Sequence, residues 1–357
     1  MTAALHRRTG FEIELMAPAG RSRRSLAEEL ARRCGGRIRP VWHHDSEPSL
    51  VPGLGRFLHL TQGFAVYDRD DALLCTLVDD ITLVAGLDPD SPAAPGWFRI
   101  LSDDHRLLRL LAAQSDPGGT IGTALDATAR FWGVTADRVD DVYRLDDGDG
   151  ATIALAAPLV GERERPCEIV TPPLVRDHRA ALEYLLGPAR ELGFTVPAEA
   201  AVHLHVDGGP FRTPYALANL IRLFGHWRAP LRTILQTNPA CTRLAPLPEP
   251  LITVADNVPS YDELRAVAAD VRLTKYFDVN LTQLLTGKPV RDTVEIRILP
   301  GTNDPAAIMD SAAVVELLLD RCTDPEPFPL PPTHPLDAVD ALLTVAADVL
   351  ADREHRC

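Results

Sequence analysis

Four short segments set Glu, His or Arg side chains between apolar, strand-favouring residues. They are Gly10-Phe11-Glu12-Ile13-Glu14-Leu15, Cys167-Glu168-Ile169-Val170, Val202-His203-Leu204-His205-Val206-Asp207 and Thr293-Val294-Glu295-Ile296-Arg297-Ile298. In a strand, side chains two apart share a face. Glu12 therefore points with Glu14, His203 with His205 and Asp207, and Glu295 with Arg297. If the four faces converge, Glu12, Glu14, Glu168 and Glu295 bring four negative charges to one place. Like charges held together protonate or recruit cations. Two divalent ions would balance them. Carboxylates with a His among them suit magnesium or manganese, usually with a substrate phosphate completing the shell. The Arg297 guanidinium matches phosphate oxygens. The chemistry indicated is phosphoryl transfer, in which positioning and charge neutralisation do most of the catalysis.

Any one of these segments alone reads as a solvated strand face, and it is their number that makes the case. Other polar groups read as ordinary surface: His43-His44 as a surface pair, Asp79-Asp80 and Asp146–Asp149 as solvated turns. Neither Gly53-Leu54-Gly55 nor Gly118-Gly119-Thr120-Ile121-Gly122 carries the Lys-Ser/Thr ending of a phosphate-binding loop. No G-x-S-x-G elbow is present. Cys167 adjoins Glu168 but points to the opposite face, so it reads as core.

The elements that must position these groups follow from periodicity and punctuation. Residues 9–15 form a strand, and a helix opens at Ser22 or Ser25 and ends at Gly35-Gly36. Strands are expected at 37–42, 57–61, 64–67, 73–78 and 81–84, then a loop at 87–96 and helices at 103–114 and 121–132. Strands at 151–156 and 167–170 precede a helix at 177–192 and the His strand at 201–207. Helices follow at 214–227 and 231–236, then an irregular proline-rich stretch at 238–259. Ser260 and Glu263 form a capping box for a helix to about 271. Strands at 274–281 and 292–299, with a turn at Gly287-Lys288-Pro289, lead to a helix at 304–322. A proline-rich linker at 325–335 and a terminal helix at 336–353 complete the chain. The fold class is α+β, largely antiparallel, with helices on one face of the sheet.

The 357 residues, 46% of them hydrophobic, can fill a sizeable core. A net charge of −14, from 36 Lys+Arg against 50 Asp+Glu, argues against nonspecific nucleic-acid binding. No apolar run is long enough for a membrane span, so no membrane partner is expected. The first strand begins too early for a secretory leader. Six scattered cysteines without a C-x-x-C pair suit a reducing cytoplasm.

The same segments, in this order, resemble the amidoligase family of the carboxylate-amine ligase superfamily, which includes glutamine synthetase and γ-glutamylcysteine synthetase. The resemblance rests on 10–14, on Glu168-Ile169-Val170-Thr171-Pro172, on 203–206, on Lys275-Tyr276-Phe277-Asp278-Val279-Asn280-Leu281 and on 293–302. It implies a curved antiparallel sheet forming a cradle for ATP and two or more divalent metals, Mg²⁺ or Mn²⁺. Glu14 and Glu168 would hold one metal; Glu12, His203 or His205, and Glu295 another. Arg297 would contact the transferred phosphate, with Lys275 and Asn280 shaping the nucleotide or acceptor pocket. Glu295, Arg297 and His205 are the implied catalytic groups. The implied reaction joins a carboxylate to an amine through an acyl phosphate, with small-molecule or peptide substrates. The catalytic domain is expected over 1–322, with 36–150 an elaborated insertion that sets substrate choice and 323–357 a linker and helix. Ala200-Ala201 stands where the family has a glycine before H-x-H.

Three other readings stay open at this point: a guanidino or amine kinase of the same broader fold, a zinc hydrolase built on His203 and His205, and a non-catalytic binding module. A homo-oligomer is compatible with all of them.

Overall fold

A computed structural model describes residues 4–51, 55–241, 243–257, 259–286 and 291–356. The Gly287-Lys288-Pro289 turn and Cys357 lie outside the described residues. The chain divides into two compact units, one of Met1–Ile13, Pro173–Leu186 and Ala198–Cys357, the other of Glu14–Pro172 and Gly187–Pro197. Strand pairing within both is antiparallel, and each unit also contains helices. Among the described residues no helix is long and apolar enough to cross a membrane.

In the first unit the strands lie in the order Val279–Asn280, Thr293–Pro300, Ala201–Asp207 and then Thr9–Met16, of which residues 9–13 belong here. Their alternating apolar residues Phe11, Ile13, Val202, Leu204, Ile296 and Ile298 are all buried. Helices Pro214–His226 and Pro305–Cys322 add Leu217, Leu220, Ile308 and Leu318 to the core. Burying that much aliphatic surface, at roughly 25 cal/mol per Å², holds the polar side of the strands in place.

Two polar devices close this unit. Buried Glu316 accepts the backbone N–H groups of His6 (2.9 Å) and Arg7 (2.8 Å) where the chain leads into its first strand. Arg353, on the terminal helix Pro335–Arg356, pairs with Glu316 at 3.0 Å and also with Asp320, the partner of Arg7. Asn219 donates to the carbonyls of Asp324 and Glu326 and accepts from Phe328 N–H at 2.7 Å, which pins the proline-rich stretch.

In the second unit, helix Arg23–Cys34 is capped by Ser22 with Ser25 and stops at Gly35, whose φ of 63° suits glycine. At Gly36 a Cβ would meet Tyr67 O at 1.9 Å, so only glycine fits. Strand Arg37–Val51 pairs along Gly55–Tyr67. The two short strands expected at 57–61 and 64–67 are thus one, and 37–42 is part of a longer one. Beyond lie Leu73–Val78, Pro166–Val170, Phe98–Ser102, Thr152–Pro158, Val142–Asp146 and Asp137–Val139. Leu60, Phe98, Ile100, Leu108, Leu111 and Leu145 share one core cluster.

Several expectations change. Residues 81–84 form turns, because Asp80 Oδ1 accepts Thr82 N–H at 2.7 Å and Asp80 O accepts Leu83 N–H at 3.1 Å. A local Asx turn overrides the β-branched residues there. Of 274–281 only Val279–Asn280 is strand, since the backbone of Tyr276 and Asp278 bonds Ala245 instead. The helix expected at 121–132 breaks into a short 3₁₀ turn, Ile121–Thr123, and a helix over Asp126–Trp132. Asp79 is not solvated: it is buried and accepts from Arg163 at 2.5 Å. His43 and His44 are half-buried, with the His44 ring 4.9 Å from that of His105.

Two outcomes test this packing. Gly36→Ala is expected to destabilise the protein by more than about 2 kcal/mol in chemical denaturation, the scale of backbone collisions that cannot relax. The second concerns His59, where burial first, and the charge of Arg99 next, bring the pKa down to about 4. Unfolded His takes up its proton near 6.5 and folded His59 only near 4. Stability is therefore lost as pH falls through that window, by up to about 1.4 kcal/mol per unit. Denaturation of the wild type against His59→Gln between pH 7 and 4 reads the difference, which should shrink as the solution is acidified.

Candidate active site

The polar face of the first unit is assembled by register. Glu12 lies opposite His203, His205 opposite Glu295, and Glu295 opposite Asn280. Residues directly opposite in an antiparallel pair point to the same side. Gly10 lies opposite His205 and adds no side chain beside the imidazole.

Between Val202↔Leu299 and Leu204↔Ile296 the ladder takes in one extra residue on the Thr293–Pro300 strand. Both flanking pairs are apolar on apolar, and the stretch between them holds His203 on one strand and Arg297-Ile298 on the other. Bulges commonly re-aim a side chain in this way beside functional sites. Arg297 N–H is held by Asp278 O at 3.0 Å. Asp278 is itself buried and paired with Arg228 (2.7 Å) and Arg232 (3.0 Å), which fixes the segment leading into Asn280.

The side chains meet closely. His205 Nε2 lies 3.0 Å from Glu12 Oε1, and His203 Nδ1 lies 3.3 Å from Glu12 Oε2 and 3.6 Å from Glu295 Oε1. Asn280 Nδ2 donates to Glu295 Oε2 at 2.8 Å, and Arg297 donates to Glu295 Oε1. One ligand atom from each of Glu12, His205 and Glu295 falls within 4.8 Å of the others. Neither ring nitrogen of His205 makes a well-directed hydrogen bond although both are buried. Its short approach to Glu12 is thus charge-driven and leaves the lone-pair direction open.

At Glu12, Glu295 and His205 burial works against charge, and the neighbours prevail. Burial pushes the Glu12 carboxyl up, but His205 and His203 beside it hold it well below the usual carboxylate range. At Glu295 burial is likewise outweighed by Arg297 and the two histidines, and the carboxyl is lowered. Burial presses the His205 imidazole down, yet Glu12 and then Glu295 raise it. The result is a pair of carboxylates held in their ionised form, with the Arg297 guanidinium and two imidazoles beside them.

The expected site residues fall in the two units as follows. Glu12, His203, His205, Glu295, Arg297 and Asn280 come together in the first unit. Glu14 and Glu168 belong to the second unit, Glu14 buried and Glu168 half-buried opposite Val78. Lys275 sits upstream of the short strand, its ammonium 5.5 Å from the Tyr276 ring centroid. Asp207, on the same strand face as the histidines, is drawn off into an exposed pair with Arg8 at 2.5 Å.

A family model described as "putative amidoligase enzyme" matches residues 5–317. This chain belongs to the amidoligase family. No curated protein and no solved structure gives a match. The matched span contains Glu12, His203, His205, Asn280, Glu295 and Arg297 and ends within the helix Pro305–Cys322.

Sequence reading missed Asp278 as the anchor behind Arg297. Its signal was the acidic residue two before Asn280, on a segment whose apolar neighbours required that any charge there be paired. For the amidoligase cluster, Glu12→Gln is expected to lower the His205 pKa towards the ordinary imidazole value, because the largest raising influence is removed. An NMR titration of the imidazole resonances in both forms reads the direction of the change.

Proposed function

We propose that this protein is an ATP-dependent ligase that joins a carboxylate to an amine, with divalent cations, through an acyl phosphate. The observation that carries the reading is the donor set Glu12, His205 and Glu295 within 4.8 Å, with Arg297 bonded to one of its carboxylates. Two ionised carboxylates and an imidazole form a hard donor set of the kind magnesium or manganese takes. The imidazole nitrogens lack directed partners, which fits a ligand role. Glu12, His205 and Glu295 would hold one cation. Glu14 and Glu168 would hold another, with His203 beside Glu12 as an alternative imidazole. Such a cation supplies charge neutralisation for the phosphate oxygens.

The chain's own groups do the rest. Asn280 fixes Glu295, Glu295 orients Arg297, and Arg297 is left to contact the transferred phosphoryl group, with the bulge setting its aim. Lys275 and Asn280 would border the nucleotide. A substrate carboxylate oxygen attacks the γ-phosphorus, the bond to the β-phosphate oxygen breaks, and ADP leaves. The amine nitrogen then attacks the acyl carbon, the carbon–oxygen bond to phosphate breaks, and the nitrogen loses a proton. Preorganised positive charge at the transferred group is the main source of rate.

The test is a screen of carboxylate and amine pairs for ADP release with Mg²⁺, with mass spectrometry for a product one water lighter than the sum. Glu295→Gln and Arg297→Ala should each lower turnover by about a thousandfold or more while circular dichroism stays unchanged. Full ATP-dependent turnover in either variant would end this reading. So would a stable phosphorylated product in place of an amide, or hydrolysis with zinc alone and no ATP.

A further inference from the structure

The second unit has a polar site of its own, at a fork in its sheet. Strand Gly55–Tyr67 keeps one partner, Arg37–Val51, along one edge. On the other edge it changes partner: Phe64–Tyr67 pair with Leu73–Val78, and Leu58–Thr61 pair with Phe98–Ser102. The two partners part company at Gln62-Gly63.

Thr61 lies opposite Arg99, so their side chains share a face. A Cβ on Gly63 would meet Val78 Cγ1 at 3.1 Å, and Val78 lies opposite Glu168. Thr61, Arg99, Gly63, Val78 and Glu168 therefore lie on one side of the sheet. A Cβ at Gly63 would also press on Leu77 O at 3.0 Å, so glycine lets the strands pack closely at the fork.

Charged and polar groups gather around the fork, Asp79 among them. Arg163 is fully engaged, with Asp79 Oδ1 (2.5 Å), Asp80 O (2.7 Å) and Leu83 O (2.6 Å). Arg23 has no exposure and donates to Gln62 O (2.8 Å) and Arg163 O (2.6 Å), which adds positive charge behind the fork. Thr61 is 3% exposed and its hydroxyl has no hydrogen-bond partner, and Arg99 Nε is buried without one. Arg99 makes no ion pair among the described residues, yet keeps some solvent access. A buried polar group left unpaired costs about 1–3 kcal/mol. Such a cost, incurred twice at adjacent positions on one face, is accounted for when an acceptor is bound there. His59, held neutral at ordinary pH by burial, adds no charge to compete for it.

We propose that this fork is a carboxylate subsite, in which the Arg99 guanidinium and the Thr61 hydroxyl hold a carboxylate of the substrate on the face that carries Glu168. A planar oxyanion matches the Nε edge of a guanidinium, with the hydroxyl as third donor. The role of that ligand as a substrate rests on the ligase reading; its binding does not.

Malonate is the probe. The ¹⁵Nε–H resonance of Arg99, identified by its loss in Arg99→Lys, should shift saturably on titration of the full-length wild type. Affinity, followed by calorimetry, should fall about tenfold or more in Arg99→Lys and in Thr61→Val, with melting temperatures confirming the fold, and should be unchanged in Glu295→Gln. No saturable shift at Arg99, or equal affinity in folded Arg99→Lys, overturns the proposal. Tighter binding of inorganic phosphate than of malonate overturns the carboxylate assignment. If malonate binds at Arg99 but the wild type shows no ATP-dependent turnover, the ligase reading falls and the subsite stands. If Glu295→Gln abolishes turnover but malonate leaves Arg99 unmoved, the reverse holds.

Discussion

Charge balance inside a strand face is the constraint on which the first unit depends. Glu12 is half-buried and Glu295 buried, among side chains that would expel a lone carboxylate. A buried charge without a partner is worth several kcal/mol of destabilisation. Each carboxylate is therefore surrounded: Glu12 by two imidazoles, Glu295 by an imidazole, an amide and a guanidinium. The bulge, the missing side chain at Gly10 and the Asp278 anchor all follow from the need to bring these groups to one height on the sheet.

Much of this was legible from residue order. Alternation placed Glu12, His203, His205, Glu295 and Arg297 on polar faces, and Phe11, Leu204 and Ile296 in the core. Pairing partners were not legible, since a period of two says which side a residue faces but not which strand it meets. The bulge at 297–298 was invisible for the same reason: an inserted residue leaves no mark in hydrophobic alternation when Ile298 is itself apolar. Asn280 was picked out on family likeness alone, and the structure supplies its physical role through Glu295.

The second unit was read less well, and the errors have a common origin. Residues 81–84 have strand-favouring side chains, but a neighbouring Asp captured their backbone. Asp79 resembled a surface turn because its partner, Arg163, is 84 residues away in sequence. Strands Asp137–Val139 and Val142–Asp146 are joined by Asp140-Asp141, where Asp140 has a φ of 55°. That left-handed residue makes a tight hairpin from a dipeptide that reads as plain polar surface.

The clamp between Glu316, Asp320 and Arg353 bears on where this family's architecture stops. The family match ends at residue 317, inside a helix and between the two acidic members of that clamp. The terminal helix beyond the match is thus tied by charge to the stretch that leads into the Glu12 strand. A chain shortened at the family boundary would keep Glu12, His203, His205, Glu295 and Arg297 and lose the brace that sets the first strand. Homology limits and mechanical limits differ here, and the useful boundary for expressing or grafting this unit lies after Arg353.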